Sequence, residues 1–405
     1  MKKFPFEKEI IRLLDNTPFY IYDEKGILKS LKKLQSAFFW CDFKEYFAVK
    51  ATPTPYILKI LGKNNCGMDC SSLVELYLSE MVNIIGENIL FTSNNTPLKE
   101  YKKAYDLGAI INFDDIGHIN KFVKKIGIPK IASIRYIPKE SYGTDIIGDP
   151  LNSKFGMPFD NIIEGYKKMK ELGVKRFGFH SMLVSNTLEE DLIEKNTEII
   201  FRTVKRISDI LNIEFEFIDI GGGFGIPYKP EDKELDIDKL GNEIRELYEK
   251  YFIEFKPKIF TENGRYITGS HGYLITKVLH IKESYKTYVG VDASMANLMR
   301  PGMYKAYHHI TVLGKEGKNK KYDVVGSLCE NNDKFAIDRE LPELEEGDIL
   351  IIHDVGAHGH SMGFNYNGKL RSAEYIYDGK DIKMIRRAQT LDDYFSTIQG
   401  GDIYV

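Results

Sequence analysis

Short apolar, β-like runs recur at regular spacing through the first two thirds of the chain, and this repeat restricts the possible folds more than any other feature. Runs at Glu45–Val49, Cys66–Asp69, Ile89–Thr92, Ala109–Phe113 and Ile131–Tyr136 begin about 21 to 22 residues apart, the length of one strand plus one short helix. Between them, Pro55–Gly62, Leu73–Met81, Leu98–Leu107 and Ile116–Ile126 carry apolar residues at i, i+3, i+4 spacing, which predicts helices. Three more strands, at Arg176–Ser181, Phe215–Ile220 and Lys258–Glu262, leave room for longer helices, notably Leu188–Leu211 and Asp236–Tyr251. Eight alternating units close most naturally into a parallel (β/α)8 barrel of the TIM type, an α/β fold. An open doubly wound sheet is the rival, disfavoured because no Gly-rich turn follows the first strand.

The last third reads differently. Alternating strands dominate: Tyr273–Lys282, Thr287–Val291, Ile310–Leu313, Tyr322–Gly326, Asp348–His353 and a hairpin that turns at Asp378-Gly379. The expected organisation is therefore a barrel domain over 25–270 followed by an all-β domain over 271–405. The strand-like Thr17–Tyr22 is expected to join the second domain.

Composition narrows the function. The 405 residues carry 56 Lys+Arg against 59 Asp+Glu, a net charge of −3, so there is no electrostatic reason to expect nucleic acid or an anionic membrane as partner. The longest apolar runs, such as Ile349 to Ile352, fall far short of the roughly 20 residues that span a bilayer. The N-terminus is interrupted by Pro5, Glu7, Lys8 and Glu9 and lacks a signal-peptide apolar region, which predicts a cytoplasmic protein. The four cysteines do not suggest a disulfide framework, and no second pair completes a zinc site with Cys66 and Cys70.

In a barrel of this kind, chemistry collects at the C-terminal ends of the strands. Those positions hold Lys50, Asp69-Cys-Ser-Ser, Ser93-Asn-Asn, Asp114-Asp115, Arg135, His180, Gly221-Gly-Gly and Glu262-Asn-Gly-Arg265. Bare backbone N–H groups in a Gly-rich turn after the seventh strand suit a phosphate, although such a turn is as often only a tight bend. A lysine amine is costly to bury unless it is paired or used covalently, and a surface lysine is the simpler reading of Lys50 alone. A lysine, a phosphate turn and a carboxylate on another strand are together what a pyridoxal phosphate site requires.

At this point the chain resembles the group IV pyridoxal-phosphate decarboxylases, which pair an alanine-racemase-like barrel with a β-domain, and most closely their diaminopimelate decarboxylase branch. The resemblance runs from Thr17-Pro-Phe-Tyr-Ile-Tyr to Tyr394. It is carried by Phe47-Ala-Val-Lys50-Ala, Gly221-Gly-Gly, Glu262-Asn-Gly-Arg265, Leu298-Met-Arg-Pro-Gly-Met-Tyr304, Cys329-Glu330-Asn-Asn-Asp333, Asp338-Arg-Glu-Leu-Pro342 and Ser361-Met-Gly-Phe-Asn-Tyr-Asn367. It implies that Lys50 holds pyridoxal 5′-phosphate covalently and that Glu262 pairs with its ring nitrogen. It also implies that Asp69, His180, Ser185, Gly221, Gly222, Gly223, Gly264, Arg265 and His358 surround the cofactor. Cys329 is implied to return a proton to the carbon that loses CO2, from the partner subunit of a homodimer with shared sites.

The sequence departs from the family's pattern in three places. Met182 stands where His-x-His-x-Gly-Ser has its second, ring-stacking histidine, so that either Met182 packs on the ring or His180 takes the role through a shifted backbone. His358 stands where a tyrosine is usual, and Asn263 where proline is usual in Glu-Pro-Gly-Arg.

The small-molecule substrate expected from these residues is meso-2,6-diaminopimelate, decarboxylated to L-lysine. Arg300 with Tyr304 one helical turn on could fork a distal carboxylate, and Glu330 could take the distal ammonium, with Arg265 and His358 also on the substrate. An ornithine-type pocket would have no use for Arg300, which would repel that substrate. Alternatives are a carboxynorspermidine- or ornithine-type decarboxylase, an alanine racemase, and a non-enzymatic pyridoxal-phosphate-binding protein. The last resembles a lone barrel. His353, His358 and His360 lack a carboxylate or thiol at usable spacing, and no metal is expected.

Overall fold

The structure is a computed structural model that describes residues 2–139 and 152–399. Strand β1 (Phe19–Asp23) comes first, followed by a helix at Glu24–Ala37 that the sequence reading passes over, although Ile27, Leu31 and Leu34 recur at i, i+4, i+7. Eight strands then close a parallel barrel in sequence order: β2 (Phe43–Ala48), β3 (Gly67–Cys70), β4 (Ile89–Thr92), β5 (Ile110–Phe113), β6 (Ile131–Tyr136), β7 (Arg176–Ser181), β8 (Phe215–Asp219) and β9 (Lys258–Thr261). Helices alternate with them as the repeat predicts, with ends shifted by a residue or two, as at Pro55–Lys63 and Glu190–Leu211. The first barrel strand ends earlier than expected. Val49–Ala51 is a 3₁₀ turn, so Lys50 stands just beyond the strand rather than in it.

The barrel interior is layered. Tyr46, Leu90, Ile110, Ile131, Phe217 and Phe260, one from each of six strands, form a buried apolar cluster. The two remaining strands contribute Gly67 and Gly178 at this level, paired with Tyr46 and Phe217 respectively. A Cβ on Gly67 would lie 2.4 Å from the Tyr46 ring, and one on Gly178 would lie 2.0 Å from the Phe217 ring. The glycines make room for the large rings.

After β9 the chain builds a mixed sheet from β10 (Gly272–Glu283), β11 (Thr287–Val291), β12 (Ile310–Val312), β13 (Asn319–Val325), β14 (Lys334–Pro342), β15 (Ile349–Ile352), β16 (Ala373–Tyr377) and β17 (Ile382–Arg386). Its order is β14-β13-β11-β10-β1-β16-β17, with β15 pairing both β10 and β12. The N-terminal strand β1 lies inside this sheet, antiparallel to β10 and parallel to β16. Its core includes Phe6, Phe19, Ile21, Ile275 and Ile351. β14 covers a stretch that the sequence shows as a motif rather than as a strand.

By its internal contacts the chain divides into two compact units. One comprises the residues up to Ile27, Tyr228–Asp232, and those from Thr268 onward; the other comprises Leu28–Pro227 and Lys233–Ile267. No helix among the described residues is long and apolar enough to cross a membrane.

Candidate active site

Successive side chains of a strand alternate faces, so residues two positions beyond the apolar layer share its inward face. Those residues are Ala48, Asp69, Thr92, Asn112, Ser133, His180, Asp219 and Glu262. Seven of the eight are polar, and all but the half-buried Thr92 are shielded from solvent. The barrel therefore carries a polar layer directly on its apolar floor.

The layer is wired together. Ser133 Oγ donates to Asn112 Oδ1, Asn112 Nδ2 to Thr92 Oγ1 at 2.9 Å, and Thr92 Oγ1 to Glu262 Oε1 at 3.2 Å. On the other side His180 Nε2 meets Glu262 Oε2 at 3.2 Å. Burial works against ionising Glu262, but attraction and the hydrogen bond from His180, together with Lys50 and Arg135, bring its pKa down to about 2. Asp69 differs. Burial and the charge of Glu262 raise it to about 6, against the pull of Lys50 and His180.

Lys50 Nζ lies 3.3 Å from Asp69 Oδ2, with its side chain 53% exposed. Burial opposes its charge, yet Asp69, Glu262 and Glu75 raise its pKa above the usual lysine value. Gly264 fits the β9 turn against the turn bearing Lys50, since a Cβ there would come 2.6 Å from Ala51 Cβ. Arg135 Nη1 stands 3.8 Å from Asp114 Oδ1, and its guanidinium lies 4.4 Å from the Phe155 ring centroid.

The glycine turn after β8 is held from three directions. Gly221 N–H donates to Asp219 Oδ1 at 2.8 Å, and Gly221 O accepts Glu262 N–H at 2.9 Å. Gly222 N–H points to Met182 Sδ at 3.1 Å. Gly221 and Gly223 have φ of +73° and +94°, which only glycine adopts without strain. Below, Glu45 is fully buried and accepts from Thr261 Oγ1 and, at 2.5 Å, from Asn263 N–H. Asn263 Oδ1 in turn accepts Phe224 N–H at 3.2 Å, tying the β9 turn to the glycine turn. Asn263, in the position where proline is usual, thus has a structural use.

Comparison with known proteins matches residues 24–269 to the family described as "Pyridoxal-dependent decarboxylase, pyridoxal binding domain". Protein TabA of Pseudomonas amygdali pv. tabaci is 42% identical, over 97% of this chain and 95% of its own length. Diaminopimelate decarboxylase of Methanothermobacter thermautotrophicus is 35% identical, over 93% and 90%. The chain belongs to the pyridoxal-dependent decarboxylases. Among solved structures of these decarboxylases, diaminopimelate decarboxylase from Helicobacter pylori complexed with L-lysine superposes with a TM-score of 0.89 at 29% identity, covering 95% of this chain and 98% of that one. The barrel followed by a mixed sheet is the architecture shared with these structures.

Pyridoxal 5′-phosphate is the cofactor of this family, and the residues present fit it. The glycine turn is a backbone cradle that side chains would fill: a Cβ on Gly222 would lie 2.4 Å from Glu262 O, and one on Gly223 would lie 2.2 Å from Val184 O. His180 Nδ1 and Asp69 Oδ1 are buried polar atoms without a hydrogen-bond partner among the described residues. Of the expected cofactor residues, Lys50, Asp69, His180, Gly221, Gly222, Gly223, Glu262 and Gly264 collect at this mouth. Ser185 is half-buried on the segment after β7, and Arg265 begins a short helix at Arg265–Thr268.

The remaining candidates lie in the β-rich unit. Arg300 is buried, with its guanidinium 5.5 Å from the Tyr228 ring centroid, whereas Tyr304 is 58% exposed. His358 is half-buried with φ +56°. Cys329 is exposed, and its loop is held by backbone contacts. Cys329 N–H donates to Asn367 Oδ1 at 2.8 Å, and Asp333 accepts from Leu328 N–H at 2.8 Å and Met295 N–H at 2.6 Å. Glu330 Oε1 accepts Asn332 N–H at 3.0 Å.

Sequence reasoning missed Glu45, Thr92, Asn112 and Asp219, and gave no structural role to Asn263 and Asn367, which it named within motifs. The signal for Thr92, Asn112 and Asp219 is the two-residue step from the apolar layer. It also missed that His180, Asp219 and Glu262 bring one polar side-chain atom each to within 4.8 Å of one another.

Proposed function

We propose that the protein decarboxylates meso-2,6-diaminopimelate to L-lysine and CO2, the lysine-forming step of amino-acid biosynthesis. The observation that carries this reading is the agreement with diaminopimelate decarboxylases over more than nine tenths of the chain. The buried Arg300 supports it, because a fixed guanidinium suits the second carboxylate of this substrate and opposes a purely cationic side chain.

In this reading pyridoxal 5′-phosphate, when bound, supplies the electron sink for the charge left as CO2 departs. Lys50 would hold it covalently through Nζ. Glu262, ionised by its surroundings, would keep a proton on the ring nitrogen, and the glycine turn would present N–H groups to the phosphate. Ser185, Arg265 and His358 would complete the cofactor contacts. Arg300, Tyr304 and Glu330 would orient the distal end of the substrate, and Cys329 would hand its thiol proton to the substrate α-carbon. The exposed Cys329 suits service in the site of a second copy, so we assign a homodimer with shared sites. The unpaired cysteines suit the reducing cytoplasm.

A substrate panel followed by CO2 release tests the assignment: turnover of meso-diaminopimelate above ornithine, lysine, arginine and carboxynorspermidine supports it, and preference for any of the others overturns it. Shared sites are tested by mixing inactive Lys50→Ala and Cys329→Ala subunits. A dimer with composite sites recovers roughly a quarter of full activity on random exchange, whereas no recovery despite exchange refutes the sharing.

A further inference from the structure

Asp219 is a carboxyl group at the barrel mouth with one oxygen left unpartnered among the described residues. It is fully buried, paired in register with His180 on β7 and with Phe260 on β9. Its Oδ1 accepts Gly221 N–H at 2.8 Å, but among the described residues no donor reaches Oδ2. His180 and Glu262 each bring a polar side-chain atom to within 4.8 Å of it. The His180 Nε2 and Thr92 Oγ1 donors are already directed at Glu262.

Two carboxylates this close in a water-poor site do not both ionise, and a buried carboxylate oxygen without a donor is not stable as an anion. A proton between the two carboxyl groups removes both difficulties. We propose that Asp219 is a neutral carboxylic acid that donates its proton in a hydrogen bond to Glu262, and that it thereby acts as a positioning residue for the Glu262 carboxylate.

The assignment of the proton to Asp219 follows from the unequal surroundings. Burial, then the charges of Glu262 and Asp69, hold Asp219 far above the ordinary carboxylate range, with only the Gly221 N–H opposing. Glu262 has His180, Lys50 and Arg135 to stabilise its charge. Arg135 and Tyr46 also feel the charge at Asp219, but neither donates to its Oδ2: the Tyr46 hydroxyl donates to Glu87 O instead. One carboxyl group is therefore the acid and the other the anion, as in other paired carboxylates whose surroundings separate them. Asp219 has a second task. Through Oδ1 it fixes Gly221 N–H, so the same side chain sets both Glu262 and the start of the glycine turn.

The functional part of this inference rests on Glu262 facing the cofactor ring nitrogen; the proton on Asp219 does not. The test uses the full-length protein. Asparagine reproduces a neutral acid, because Oδ1 can accept from Gly221 and Nδ2 can donate to Glu262, whereas alanine does neither. Asp219→Asn is expected to keep pyridoxal phosphate affinity within about threefold, and Asp219→Ala to weaken it on the order of ten- to a hundredfold, the range for losing a hydrogen bond to a charged group. Infrared difference spectra of wild type against Asp219→Asn, taken without added cofactor at neutral pH, should show a buried protonated-carboxyl band lost in the variant. No such band, or an Asn variant as impaired as the Ala variant, overturns the proposal. Glu262→Gln separates the two readings: unchanged cofactor affinity there refutes the role of Glu262 at the ring nitrogen, while the infrared band still decides the state of Asp219.

Discussion

Gly222→Ala isolates what the glycine turn contributes. Gly222 lacks the positive φ of its neighbours, so alanine there meets a steric obstacle rather than a conformational one. The added Cβ would stand 2.4 Å from Glu262 O, 2.8 Å from Glu262 C and 3.3 Å from Asn263 Cα. All three are backbone atoms, and Glu45 and Phe224 hold that backbone through Asn263. Restoring ordinary contact requires the two turns to separate by about 1 Å, at an overpacking cost of about 1–3 kcal/mol. The displaced turn carries Glu262, so a large part of that cost should appear in the cofactor. We expect pyridoxal phosphate affinity to fall about five- to a hundredfold, since each 1.4 kcal/mol is tenfold. Equilibrium titration of the cofactor, followed by absorbance, measures it. Gly173→Ala is the control: φ is +90°, nothing lies within 4 Å of its Cβ, and it should cost about 1–2 kcal/mol of stability and leave cofactor affinity unchanged. Wild-type affinity in Gly222→Ala would refute the coupling of the two turns.

Three further outcomes are expected. Arg300→Met should lower kcat/KM for meso-diaminopimelate by an amount equivalent to about 2–5 kcal/mol, as when one partner of a buried charge pair is removed, with cofactor absorbance unchanged; steady-state kinetics checks it. Asn367→Gly keeps the φ of +55° but deletes the acceptor for Cys329 N–H, so kcat should fall about ten- to a hundredfold from misplacing the thiol and exchange of that amide should quicken, while Asn367→Asp stays close to wild type. In acid the β-rich unit should weaken, because burial lowers His353 to about 3 and His360 to about 4 from an ordinary 6.5. His309, also lowered to about 4 by burial, adds a third such site, and Asp354, raised to about 6 by burial, offsets one, so these groups together bind up to two more protons in the unfolded chain. Their stabilisation is full above pH 6.5 and falls by up to about 2.7 kcal/mol per pH unit toward pH 4. Urea midpoints at pH 7, 6 and 5 should show this, and His353→Gln should remove about half the slope.

The barrel was legible because its signal is local. Each strand is a short apolar run and each helix a short amphipathic one, so the repeat announces all eight units before any contact is known. The helix at Glu24–Ala37 carries Ile27, Leu31 and Leu34 on one face but lies ahead of the repeat, and the strand Lys334–Pro342 shows in sequence as a motif; neither was predicted. Tyr228–Asp232 joins the β-rich unit through contacts distant in sequence, which no window of the chain displays. The site divides in the same way. Lys50, His180, the glycine turn and Glu262 were found because they end strands. Thr92 and Asp219 also end their strands, but each sits at the tip of an apolar run and was absorbed into it, as Asn112 was within its own. Counting two residues up from Leu90, Ile110 and Phe217 would have exposed them.

The methionine at position 182 follows from the same layering. His180 belongs to the polar layer and is committed edge-on to Glu262 through Nε2, which ties its imidazole to the charge of that carboxylate. Position 182 lies two residues further, where its neighbour is the glycine turn rather than the carboxylates. Gly222 N–H finds the thioether there at 3.1 Å, and a Cβ on Gly221 would stand 2.8 Å from the same sulfur. An imidazole at 182 would instead set a second titratable ring against the glycine turn, at the place where the thioether now takes Gly222 N–H. A thioether packs against the turn and adds no charge. In the reading proposed above, the work given in the family's pattern to two histidines would be split: His180, with Asp219, would govern the ionisation of Glu262, and Met182 would support the backbone proposed to receive the phosphate.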